Sequence, residues 1–128
     1  MSDFNSLHNR AVWFDIPVAD LDRSAAFYAA VLGIKVHKEQ FEGDTFCILD
    51  HQDGNGGCLV KNESEINSNS GILVYRNVNT RIRDAVTQVE KCGGRVVQPI
   101  HAIGPHGFRA IVLDSEGNRI VLHSTVDG

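Results

Sequence analysis

Asp20-Leu21-Asp22-Arg23-Ser24-Ala25-Ala26-Phe27-Tyr28, followed by Val31-Leu32-Gly33, decides the fold, because its pattern recurs sixty residues later. Val18 falls on Val78, Arg23 on Arg83, Ala25 on Ala85, Gly33 on Gly93 and Val36 on Val96. Farther on, Leu49-Asp50 matches Leu113-Asp114 at an offset of sixty-four, and Gly54-Asn55 matches Gly117-Asn118 at sixty-three. Small insertions therefore separate the copies. A long unit present only twice argues for two similar supersecondary modules closing on each other, not for an open solenoid. Each copy is too small to bury a good core alone, so the 128 residues read as one cooperative domain.

Within the quoted stretch, Asp20 can cap a helix by accepting from the free N–H groups of its first turn. Leu21, Ala25, Tyr28 and Leu32 recur at helical spacing, with Phe27 and Val31 on the flank. Gly33 ends the helix, since glycine enters the left-handed conformation without steric cost. A strand over Val12–Val18 precedes it. Strands near Ile34–Gln40, Thr45–Leu49 and Gly57–Lys61 follow, with a turn at Asp53-Gly54-Asn55-Gly56. Module one thus spans about residues 11–61. The polar, serine- and asparagine-rich stretch 62–70 is a linker. Module two, about 71–125, repeats the order. It has a strand over Ile72–Val78, a helix striped by Ile82, Ala85, Val86, Val89 and Cys92, and strands near Arg95–Gln98, Phe108–Leu113 and Arg119–Ser124. A loop from Pro99 to Gly107 is longer than its counterpart and suits a lid or a plain connection.

The bulk numbers narrow the function classes. A net charge of −4 with no basic run disfavours nucleic acid and anionic membrane as partners. No apolar stretch is long enough to span a bilayer, and Met1-Ser2-Asp3-Phe4-Asn5 lacks a signal-peptide pattern. Three cysteines without metal-finger spacing suggest reduced thiols in a cytoplasm.

Alternation along the strands sorts side chains onto two faces. Val12, Phe14 and Ile16 form an apolar face for the helices, as do Ile72 and Val74, Gly57 and Leu59, and Ile120 and Leu122. Trp13/Asp15, Cys58/Val60, Leu73/Tyr75 and Val121/His123 then share the opposite, concave surface. That surface is mostly apolar with a few polar groups, which is how small-molecule pockets are built.

At this point the chain resembles the vicinal oxygen chelate superfamily of glyoxalases, extradiol dioxygenases and bleomycin-resistance proteins. The residues that carry the resemblance are the quoted helix and Asp114-Ser115-Glu116-Gly117-Asn118-Arg119-Ile120, and it extends from about Val12 to Ser124. It implies an α+β fold of two tandem βαβββ modules forming a curved mixed sheet around one cavity. It also implies a homodimer and a small-molecule ligand. The family's metal enzymes place their ligands at positions that are Trp13, Cys58, Leu73 and Val121 here. Three of the four cannot bind a metal ion, and a catalytic metal takes about three protein ligands. The expectation is a site without a resident metal or other cofactor.

Asp15 and His123, each two residues beyond a lost ligand position, are the candidate catalytic pair. Asp15 would orient the imidazole, and His123 would move a proton near neutral pH. The plainer reading is that both hydrogen-bond to loops at the cavity mouth. Tyr75 can bind ligand or simply be core with a wet hydroxyl. Trp13 reads as a cavity wall, with stacking on a ligand as the alternative. Cys58 reads as a small hydrophobe more readily than as a nucleophile. His106 lies on the glycine-flanked loop, either touching ligand or exposed. Function is then glyoxalase- or bleomycin-resistance-like binding or lyase-like chemistry. A metal-dependent lyase or isomerase with displaced ligands, a non-catalytic sequestering or resistance protein, and a structural dimer with a vestigial cavity are the alternatives.

Overall fold

The computed structural model describes residues 8–128. The segment Met1-Ser2-Asp3-Phe4-Asn5 lies outside them. In chain order the elements are β1 (Asp15–Val18), α1 (Leu21–Leu32), β2 (Val36–Phe41), β3 (Asp44–Leu49), β4 (Cys58–Lys61), β5 (Tyr75–Asn77), α2 (Ile82–Lys91), β6 (Arg95–Ala102), β7 (Phe108–Leu113) and β8 (Arg119–Ser124). Short 3-10 turns occupy Glu63–Glu65 in the linker and Gly104–His106 before β7. Each module makes one four-stranded mixed sheet, in the orders β1-β4-β3-β2 and β5-β8-β7-β6. The two orders are the same order, as the repeat requires. Within each sheet the first strand runs parallel to the last, and the rest are antiparallel.

The local signals act as read. Asp20 caps α1 by accepting from the Arg23 backbone N–H at 3.0 Å, and Gly33 ends it at φ 68°. The helices pack against each other and against the apolar faces of the sheets. The core joins Ile16, Val18 and Leu59 of the first module to Val78, Ile120 and Leu122 of the second through Phe27, Tyr28, Ile82 and Val89 of the helices. Neither module could keep this cluster dry alone.

Polar clamps fix one module on the other. The Tyr28 hydroxyl donates to Asp114 Oδ2 at 2.6 Å inside the core. Glu116, in the β7–β8 turn, accepts from the backbone N–H groups of Ala19 and Asp20 at 3.0 and 2.8 Å and from Arg23 at 2.7 Å. Its carboxylate therefore sits at the start of α1, where the helix dipole favours negative charge. At the other end of α1, Arg81 donates to the carbonyls of Val31 and Ala30 at 2.6 and 3.3 Å. A cation at a helix C-terminus is the complementary arrangement.

Three expectations are corrected. The strands read as Val12–Val18 and Ile72–Val78 are shorter, because β1 pairs only through Asp15–Val18 and β5 only through Tyr75–Asn77. Ile72, expected to cover a helix, is 88 % exposed, because Gly71 turns the chain at φ 91° and residue 72 lies outside the ladder. The sixth strand, expected to stop at Gln98, runs on to Ala102. Its register shifts between Val96 and Gln98 and again between Gln98 and His101, around Pro99. Proline has no N–H for a ladder, and β6 is a sheet edge where that is tolerated. The long loop therefore shrinks to the turn at Gly104–His106.

Candidate functional site

The concave faces of the two sheets carry the polar groups that alternation assigned to them. On the first sheet, Asp15 pairs with Cys58 in register, and the Cys58 thiol donates to Asp15 Oδ1 at 3.2 Å. Burial raises the Cys58 pKa first, the bond to Asp15 raises it further, and the Trp13 indole opposes, leaving it at about 11. At neutral pH this is a thiol that donates, not a thiolate that attacks. Trp13 stands edge-to-face on His51 at 5.9 Å. Asp15, Cys58, Val60, Phe46 and Phe41 line a cavity of about 680 Å³.

On the second sheet, Tyr75, Ile103, His106, Arg109 and His123 line a cavity of about 530 Å³. Tyr75 and His123 face each other with ring centroids 6.0 Å apart. Arg109 Nη1 donates to the Tyr75 hydroxyl oxygen at 2.6 Å, and Arg109 Nε donates to His101 Nε2 at 3.0 Å. His101 Nδ1 meets the Pro99 carbonyl at 2.8 Å. A carbonyl can only accept and a guanidinium can only donate. His101 is therefore the neutral tautomer with its proton on Nδ1. By the same logic His123 Nε2, 2.7 Å from the His106 carbonyl, carries a proton and leaves Nδ1 as the free ring nitrogen.

The chain Pro99–His101–Arg109–Tyr75 thus has a fixed direction. Tyr75 receives a hydrogen bond from Arg109, so its own hydroxyl hydrogen is free to donate into the cavity. Among the described residues, no carboxylate lines this cavity and one guanidinium does.

Asp15 and His123 line separate cavities, one on each sheet, and no hydrogen bond joins them. Tyr75 and His106 are brought to His123, Tyr75 through its ring and His106 through its backbone carbonyl. Cys58 is brought to Asp15, and Trp13 to Cys58. At the four positions where the family carries metal ligands, Val121 is fully buried, Cys58 is a protonated thiol bonded to Asp15, and Trp13 and Leu73 have no metal-binding atom. Among the described residues, no three His, Cys, Asp or Glu side chains converge to hold a metal ion. These residues do not fit the family's metal centre. Sequence reasoning missed Arg109 and His101. Alternation along β7 would have found Arg109, since it shares the face of Ile111, which pairs with Val121.

The comparisons with known proteins agree with this architecture. Residues 10–46 match the model of the bleomycin resistance protein-like N-terminal family. A hypothetical protein from S. aureus superposes with a TM-score of 0.71 at 23% identity, covering 91% of this chain and 94% of that one. A glyoxalase/bleomycin resistance protein/dioxygenase family enzyme from Burkholderia phytofirmans PsJN gives 0.69 at 18% identity, covering 88% and 96%. The chain shares the fold of these structures. A genomically encoded fosfomycin resistance protein from Listeria monocytogenes superposes with a TM-score of 0.67 at 11% identity, covering 91% of this chain and 93% of that one. No curated protein matches the sequence. Among the described residues, no helix is long and apolar enough to cross a membrane.

Proposed function

We propose that this chain binds a small organic anion on the concave face of its second sheet, without a resident metal ion. The observation that carries the reading is the Arg109–Tyr75 pair. A guanidinium anchored by a neutral histidine presents positive charge, and the tyrosine beside it presents a free O–H, in a cavity without a carboxylate among the described residues. Such a site favours a carboxylate or similar oxyanion attached to an apolar body that can lie against Ile103 and the aromatic rings. Trp13, Leu73 and Val121, which cannot bind a metal ion, stand at three of the family's four ligand positions and support metal-free binding.

His123 supports a second reading, lyase-like or isomerase-like proton transfer. Its Nε2–H is tied to His106, so Nδ1 is the nitrogen that would take a proton from a bound ligand. A second copy of the chain belongs to the same proposal, because Phe41 stands 67 % exposed at the rim of the first sheet's cavity. The three free cysteines agree with a reducing compartment, as a cytoplasmic protein would have.

The test is equilibrium binding of benzoate to the wild type, Arg109→Met and Tyr75→Phe. Saturable binding that Arg109→Met abolishes supports the reading. Equal binding by all three proteins contradicts it. Turnover that His123→Ala removes while binding persists would favour the second reading.

A further inference from the structure

The seam between the two modules holds a buried cation, two of whose nitrogens have no hydrogen-bond acceptor among the described residues. Arg76 occupies in β5 the place that Ile16 holds in β1, sixty residues earlier. Ile16 is core, as alternation requires, and Arg76 is almost as deeply buried at 8 % exposure. Its guanidinium lies 4.1 Å from the centre of the Phe14 ring. Phe14 reaches that position because residue 57 is glycine; a Cβ there would lie 2.3 Å from the ring. The cation–π contact attracts the charge but satisfies none of its N–H donors.

Arg76 Nε and Nη1 are buried and have no acceptor among the described residues. Asp114 is the nearby acid whose field reaches Arg76, but its oxygens are already taken. Oδ1 accepts from the backbone N–H groups of Glu116 and Asn118, and Oδ2 accepts from Tyr28 and the Asn118 side chain. Burial pulls the Arg76 guanidinium below the ordinary arginine range, while Tyr28 and Asp114 push the other way. A buried charge without hydrogen-bonding partners is strongly destabilising, so an acceptor brought by a ligand would be gripped.

A second arginine shares the same cavity. Arg119 Nη2 donates to the Gly71 carbonyl at 3.2 Å, while its Nε is buried without a partner. Both arginines line a cavity of about 250 Å³ between the β1 and β5 edges, beside the linker residues Glu65, Asn67 and Ser70. Two carboxylates are also in its wall. Asp15 accepts from the Cys58 thiol, and neither Asp15 nor Glu65 forms an ion pair with either arginine.

We propose that this seam is a second binding site, independent of the concave one, and that it takes one small oxyanion, a carboxylate or a phosphate, between Arg76 and Arg119. Guanidinium forks match the paired oxygens of either group. The occupant would touch β1 of one module and β5 and β8 of the other, so its binding would tie the modules together.

The experiment is thermal melting and calorimetric titration with inorganic phosphate and with acetate as separate probes, ionic strength being matched with sodium chloride. The wild type is expected to bind one equivalent of at least one probe per chain and to melt about 5 °C higher near saturation. Response to phosphate alone or to acetate alone identifies the source. Arg76→Met is expected to lose the response and, without anion, to melt above the wild type, because an unpaired buried charge is gone. Arg109→Met is expected to keep the response, which separates this site from the concave one. A wild type that answers neither probe, or a response that survives in Arg76→Met, overturns the proposal. If Arg76→Met does not fold, Arg119→Met decides, and a response it leaves unchanged overturns the proposal equally.

Discussion

Arg109 Nη1 donates to the Tyr75 hydroxyl oxygen across 2.6 Å, joining the start of β7 to the start of β5 over the intervening strand β8. The phenol's hydrogen is then directed away from Arg109 and is available to a ligand acceptor. Replacing Tyr75 by phenylalanine keeps the ring beside His123 and removes that donor. Because Tyr75 is 47 % exposed, the fold should be unaffected. The affinity of an anionic ligand should fall about tenfold, the usual loss for a hydrogen bond to a charged group. Titration of benzoate into wild type and Tyr75→Phe measures it.

His101 should be found as its Nδ1–H tautomer. Its Nδ1 faces the Pro99 carbonyl and its Nε2 accepts from Arg109. Protonation of Nε2 would set a donor and a positive charge against the guanidinium. Nitrogen-15 spectra of labelled histidine read the tautomer directly. An Nε2–H tautomer at slightly alkaline pH would break the proposed chain.

Glu116 should make the protein acid-labile. Burial alone would raise its carboxyl above the usual 4.5, but hydrogen bonds from Arg23, Asp20, Ser115 and Ala19 outweigh it and hold the pKa near 2. A depressed carboxylate stabilises the fold fully above its unfolded value. That contribution is lost as pH falls from about 4.5 towards 2. We expect about 2 kcal/mol to be lost over this window, after discounting for the exposed Arg23 partner. Glu116→Gln should be less stable at pH 7 and show a flatter stability profile below pH 4.5 in urea melts.

Cys58 should react slowly. Its thiol is held at about 11 by burial and the bond to Asp15, and burial also raises Cys47. Brief alkylation at pH 7.5 followed by mass spectrometry should label the half-buried Cys92 before either. Preferential labelling of Cys58 would restore the nucleophile reading.

The fold was largely legible because the repeat is a direct statement about three-dimensional structure. Once Val18 and Val78 are equated, Asp20 and Gly33 mark both ends of α1, and alternation places Asp15 beside Cys58 and Tyr75 beside His123. The site was less legible for two physical reasons. His101 lies beyond the bulge around Pro99, where the two-residue period breaks and face assignments cannot be carried through. Arg109 needed a face assignment for β7, a strand whose run Phe108-Arg109-Ala110-Ile111 reads simply as buried sheet. Ile72 failed differently. Its apolar side chain fits a strand pattern, but a turn at Gly71 takes it out of the ladder. Arg76 is visible in the sequence as a charged residue at the place where module one has the core isoleucine Ile16.

The central claim is metal-free recognition of an organic anion by Arg109 and Tyr75, and one titration tests it most directly. Nitrogen-15-labelled protein freed of divalent ions by chelation is titrated with benzoate while the Arg109 Nε–H signal is followed. The account predicts a saturable shift of that signal in the continued presence of chelator, and no saturable binding in Arg109→Met. No shift in chelated protein, with binding appearing only when a divalent metal is added, would contradict it.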